Sequence, residues 1–201
     1  MEIVSGGSGM KLLLLALILI SLNWMVAHAQ EHGRPAPSPT VRATPAPTPV
    51  PTPQGWVTFN CVPGRFSVFM PEIPTDKTET VQSDHGPYTT HLFVVRGEKS
   101  VFLIGWVDYD PSFNFNTTGE LDMNRENFLK GVNATLVNNR TVTLDGYQSI
   151  EFTAENSETL FKSRVYMVGR RPYQLVAATS KGLDDSININ RFFDSFKVRV
   201  R

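Results

Sequence analysis

Cysteine is nearly absent from this 201-residue chain: Cys61 stands alone, so no intramolecular disulfide can form and the fold must rest on its hydrophobic core. The thiol is expected to be buried next to Val62, where a free cysteine packs as a small hydrophobe; pairing between chains is the alternative. It also lies too far from the N-terminal apolar run to be a lipoprotein cysteine, which sits at a leader's cleavage point. Charge of one sign is lacking too. Of 19 basic residues only Lys11, Arg34 and Arg42 precede Gly55, and of 19 acidic ones only Glu2 and Glu31, leaving 16 against 17. A segment so balanced has no electrostatic pull on nucleic acid or an anionic membrane, and apart from Arg170 and Arg171 its cations are scattered.

Histidine is scarce: of four, only His85 and His91 follow Gly55. No G-x-S-x-G, H-E-x-x-H or C-x-x-C occurs. Ser83-Asp84-His85 supplies the three residue types of a catalytic triad, but neighbours in one loop do not reach triad geometry. His91 is expected to be packed or paired in a strand. Asp108, Asp110 and Asp122 would suit a hard cation such as calcium if brought together, whereas Asp108 and Asp110 before Pro111 also read as solvated strand-end acids. No catalytic, cofactor-binding or metal residue is therefore assigned, and no cofactor. Three sequons, at Asn116, Asn133 and Asn139, would matter only in a eukaryotic secretory protein.

What the chain does have begins with a leader. Lys11, the uncharged run Leu12–Leu22 and Ala27-His28-Ala29 match the n-region, h-region and cleavage site of a signal peptide over residues 1–29, with Met10 the expected start. The run is short for a membrane span, which needs about 20 residues. An uncleaved segment tethering the protein to a membrane is the alternative to secretion or a periplasmic location. Residues 30–54 form a linker: from Glu31 to Gln54 there are eight prolines in 24 residues. Proline has no N–H to donate, so this stretch is expected to be an extended spacer reaching on the order of 70 Å at about 3.1 Å per residue, or else a docking segment for a polyproline reader.

Residues 55–201 make the globular domain. Extended runs are predicted at Trp56–Phe59, Phe66–Phe69, Tyr88–Arg96, Ser100–Asp108, Thr135–Leu144, Gln148–Ala154, Leu160–Val168, Tyr173–Ala178 and Lys197–Val200. Gly97-Glu98-Lys99, Asp145-Gly146 and Gly169-Arg170-Arg171-Pro172 serve as turns. Apolar residues of both parities in the third and fourth runs imply strands covered on both faces. In the sixth run Ile150, Phe152 and Ala154 alternate with Ser149, Glu151 and Thr153, which implies one wet face. Thr117-Thr118-Gly119-Glu120 has the form of a capping box, with Leu121, Phe128, Leu129 and Val132 as the apolar side of the helix it opens. Ile189, Phe192, Phe193 and Phe196 mark a second helix at i, i+3, i+4, i+7 spacing. The expected fold is α+β: one largely antiparallel sheet of six to eight strands with helices on both faces.

The order of these pieces resembles the PsbP-like fold. The resemblance rests on the Trp56–Phe59 strand, Gly64-Arg65-Phe66-Ser67-Val68 running to Met70-Pro71, the helix over Glu120–Lys130, Arg164–Tyr166, Tyr173–Leu175 and the closing Phe192–Phe196. It covers nearly the whole domain through packing residues. Photosystem PsbP subunits, periplasmic DcrB-like proteins and a Ran-binding import factor share this fold and are known mainly as binding and assembly modules. The resemblance implies an extracytoplasmic, non-catalytic module with an unidentified protein partner. The alternative is a small secreted enzyme or ligand carrier using a cleft against the Asp110–Gly119 loop, near Phe113 and Phe115.

Overall fold

The computed structural model describes residues 55–82, 86–112 and 117–199. The stretches expected to be a leader, with Met10, and a linker lie outside the described residues, as do Ser83-Asp84-His85, Phe113, Phe115 and Asn116.

Among the described residues ten strands and two helices follow one another: β1 (Val57–Cys61), β2 (Phe66–Met70), β3 (Thr75–Val81), β4 (Tyr88–Arg96), β5 (Ser100–Tyr109), α1 (Thr117–Gly131), β6 (Thr135–Leu144), β7 (Tyr147–Glu155), β8 (Thr159–Val168), β9 (Arg171–Ser180), α2 (Ser186–Ser195) and β10 (Lys197–Val198). Seven strands form one antiparallel sheet in the order β3-β4-β5-β9-β8-β7-β6, and β1-β2-β10 form a second, smaller one. The larger sheet has a strand count within the six to eight expected, and the three-stranded sheet is additional to it. The β1–β2 hairpin pairs with β10 rather than joining the large sheet, because β2's second edge is taken by the chain leaving α2.

Strand parity organises the core, since alternate side chains leave a strand on opposite faces. Phe93, Val95, Phe102, Ile104, Tyr173 and Leu175 pack with Phe192, Phe193 and Phe196 and with β1–β2 side chains such as Phe66 and Met70. Their neighbours Leu92, Val94, Leu103, Val176 and Ala178 pack instead with Leu121, Phe128, Leu129 and Val132. The two helices therefore cover side chains of opposite parity, which explains the unbroken apolar runs of β4 and β5.

Asp145 and Gly146 both have positive φ, 50° and 83°, as a tight two-residue hairpin turn requires. At the predicted turn over residues 169–172 only Gly169 and Arg170 turn; Arg171 and Pro172 already belong to β9, where they pair with Val168 and Met167. Pro172 is tolerated there because β9 begins pairing with β5 only at Tyr173. Ser149, expected to be wet, is fully buried opposite Tyr166 and donates to the Tyr147 carbonyl at 3.1 Å. Strand β3 had no apolar alternation to betray it. Its sequence TDKTETV is exposed except at Val81 and is held as an edge strand by β4.

Candidate binding surfaces

The acids that suggested a cation site are each committed elsewhere. Asp108, at the end of β5, accepts from Arg171 Nε at 2.7 Å and Trp106 Nε1 at 3.2 Å, and its Oδ2 lies 3.3 Å from His91 Nε2. Arg171 also donates to the Pro63 carbonyl at 3.0 Å, so this carboxylate ties β4, β5 and β9 to the β1–β2 turn. Asp110 is turned into its own loop, accepting from the Ser112 N–H and hydroxyl at 2.8 and 2.6 Å, which lowers its carboxyl pKa. Asp122 pairs with Arg125 on α1 at 2.9 Å. Among the described residues no three potential metal ligands converge.

His91 is, as expected, a packed and paired strand residue. Its ring lies flat on Trp106, centroids 4.2 Å apart and planes 8° from parallel, with Nδ1 3.1 Å from the Thr78 hydroxyl. Every polar atom of the ring is engaged, so it is a brace between β3 and β5 rather than an open base. Cys61 is buried, and its sulfur accepts from the Gly64 N–H at 3.3 Å; burial pushes the thiol pKa up, away from the reactive thiolate.

Glu120 departs from its sequence-predicted role. Its side chain is buried and bonded to the Tyr109 hydroxyl. Burial raises the carboxyl pKa, and it raises the phenol of Tyr109 as well. The β4–β5 ladder brings Tyr88 directly opposite Tyr109, and the Tyr88 hydroxyl is buried without a hydrogen-bond partner among the described residues. Further along this face a cavity of about 50 Å³ is bordered by Leu92, Leu103, Gly105, Val107, Asn124 and Gln174. At about 30 Å³ per water it has room for a solvent molecule or two, well short of the roughly 300 Å³ at which metabolite sites begin.

Two larger depressions flank α2. One, of about 670 Å³, is lined by Trp56, Phe102, Glu72, Arg96, Glu98 and Arg191, with the Arg191 guanidinium 5.3 Å from the Trp56 ring centre. The other, of about 280 Å³, is apolar, and three of its lining side chains are large and exposed: Val137 at 61%, Leu160 at 40% and Leu183 at 48%. Ile189 also lines it, together with the charged Glu155, Lys162 and Asp184. The cleft expected against the Asp110–Gly119 loop, near Phe113 and Phe115, falls on residues outside those described. The available signal was Leu183, an apolar residue in the Gly182-Leu183-Asp184 turn where nothing local calls for one.

No family model and no curated protein matches this chain. Among solved structures, cyanobacterial PsbP from Synechocystis sp. PCC 6803, a solution structure, is similar with a TM-score of 0.50 and 12% identity, over 78% of this chain and 98% of that one. A crystal structure from Bacteroides thetaiotaomicron VPI-5482 is 14% identical over 74% of this chain and 50% of that one, but at a TM-score of 0.36 it carries no argument. The fold is PsbP-like. At such identity the likeness concerns the arrangement of strands and helices and transfers no site residue.

Proposed function

We propose that this domain is an extracytoplasmic, non-catalytic binding or assembly module that holds a protein partner in the apolar groove beside α2. The observation that carries the reading is the convergence of Val137, Leu160 and Leu183, from three separate elements, on one groove while each remains exposed. A monomer scatters single hydrophobes over its surface; a contiguous patch with a polar border is what a protein interface presents. The leader read from residues 1–29 and the PsbP-like fold support the extracytoplasmic setting. No described helix is long and apolar enough to cross a membrane.

The test compares the exported wild-type chain with a Leu160→Glu/Leu183→Glu variant in cross-linking pull-downs from envelope extract. Both positions are exposed, so the fold tolerates the charges. A partner retained by the wild type and lost by the variant is the expected result; no partner, or equal recovery by both, refutes the groove as the binding surface.

A second reading, a small-molecule carrier, is favoured by the depression at Trp56, whose volume falls within the roughly 300–1,000 Å³ range of ligand sites and which offers an aromatic ring between arginines and acids. A thermal-shift panel of small ligands on wild type and Trp56→Ala separates it from the first: stabilisation that the variant loses supports the carrier.

A further inference from the structure

Every sheet edge exposes unpaired N–H and C=O groups, and natural proteins blunt such edges with charge, proline or shortness. The edges of this protein are treated unequally. Strand β3 closes one end of the large sheet with Asp76, Lys77 and Glu79 among its seven residues. In the small sheet the edge strands are the five-residue β1 and the two-residue β10. Strand β6 closes the other end of the large sheet with ten residues, TLVNNRTVTL, of which all from Thr135 to Thr141 are exposed. It contains no proline and one charge, and that charge is spent within the molecule: Arg140 donates to Glu151 of β7 at 2.6 Å.

The sequence of this edge is compatible with itself. A register shift at Leu136/Asn138 breaks the regular ladder at one end and the Asp145-Gly146 turn ends it at the other, leaving Asn138–Leu144 as a regular seven-residue run. Two such runs pair antiparallel about a two-fold axis only in registers that set a residue opposite itself, because partners in a ladder must share a face. The axis at Thr141 alone uses all seven residues. It sets Asn138 opposite Leu144, Asn139 opposite Thr143, Arg140 opposite Val142, and Thr141 opposite its copy. Thr–Thr pairs of this kind are favourable, whereas an axis at Arg140 would place two guanidinium groups face to face.

We propose that β6 is a self-association edge, through which a second copy of this chain adds antiparallel across Asn138–Leu144 with Thr141 on the two-fold axis. The two seven-stranded sheets then run on as one. A seven-residue strand pair buries less than the roughly 800 Å² per partner of a stable interface, so the dimer is concentration-dependent rather than obligate. The inference does not rest on the α2 groove, although Val137 of β6 lines that groove, and it survives if no partner is found there.

The test uses the full chain, exported by its own leader. Sedimentation of the wild type over a concentration series is expected to show monomer passing to dimer, and Thr141→Lys, which sets two ammonium groups opposite each other at an exposed position, to remain monomeric. For the register, Thr141→Cys is expected to give a disulfide-linked dimer on mild oxidation. Asn139→Cys and Thr143→Cys should do so only when combined, and Thr75→Cys on the β3 edge should not. Cys61 is buried and does not compete. A wild type that stays monomeric throughout the series, a Thr141→Cys chain that cross-links no better than Thr75→Cys, or one that traps a different protein instead of itself overturns the proposal.

Discussion

Removing the Glu151 carboxylate tests the charged layer that fastens α2 to the sheet. Glu151 on β7 accepts from Arg140 of β6 at 2.6 Å and from Arg164 of β8 at 2.5 Å, and Arg164 passes on to Asp194 of α2 at 3.2 Å. The side chains of Glu151 and Arg164 are each 13% exposed, while those of Arg140 and Asp194 are 63% and 68% exposed. Glu151→Gln keeps the shape and removes the charge, leaving the solvent-screened Asp194 as the acidic partner of Arg164. Breaking a fully buried pair costs about 3–5 kcal/mol and an exposed one about 0–1. With Asp194 remaining and some water access, about 2–3 kcal/mol is expected at pH 7, a fall in Tm of about 4–12 °C for a domain of this size. Burial acts to raise the Glu151 pKa, but the hydrogen bonds from Arg164 and Arg140 outweigh it and hold the group below its ordinary 4.5. A depressed carboxyl contributes stability that is fully present above the ordinary value and lost as pH falls through the folded one. The gap between wild type and variant in urea midpoint should therefore close at acid pH, where the wild-type group is itself neutral. A gap under about 0.5 kcal/mol at pH 7, or one undiminished below the folded pKa, would refute the reasoning.

Phe192→Ala removes a fully buried ring packed against Phe102 and Phe193 and is expected to cost about 3–5 kcal/mol by urea unfolding. A loss below about 1 kcal/mol would mean that α2 does not bear on the sheet as described. Gly105→Ala would set a methyl 2.8 Å from the His91 carbonyl oxygen, a rigid backbone atom, so destabilisation of about 1–3 kcal/mol is expected in a thermal melt. Glu120→Gln should go the other way. Burial raises this carboxyl, so the folded state holds its proton more tightly, and ionisation costs stability as pH rises above the ordinary 4.5. The glutamine variant, which can still accept from Tyr109, is expected to have the higher urea midpoint at pH 7, with the advantage disappearing in acid; a lower midpoint at pH 7 would show that the ionised carboxylate is needed.

The candidate surfaces were legible only in part. Engagement of His91 within a strand followed from its place in an apolar run, and burial of Cys61 from its neighbours. The groove could not be read that way, since Val137, Leu160 and Leu183 are 23 residues apart at each step and only the fold brings them to one rim. The same holds for Glu120, whose position three residues after Thr117 fits a helix cap but whose carboxyl is captured by Tyr109. Local pattern records what a residue offers to the next turn of helix, not which distant donor competes for it.

What the sequence determined by itself is the set of parts. Both-parity apolar runs required strands covered on two faces, Asp145-Gly146 required a tight turn, and the spacing of Ile189, Phe192, Phe193 and Phe196 required a helix with one buried side. These are short-range consequences of backbone geometry and side-chain period. The tertiary structure alone decided that β1, β2 and β10 leave the large sheet, that β9 lies between β5 and β8, and that β3, polar in all but Val81, is a strand at all. Strand pairing satisfies backbone groups whatever the side chains, so β3 is made by the open edge of β4 rather than by anything in its own residues.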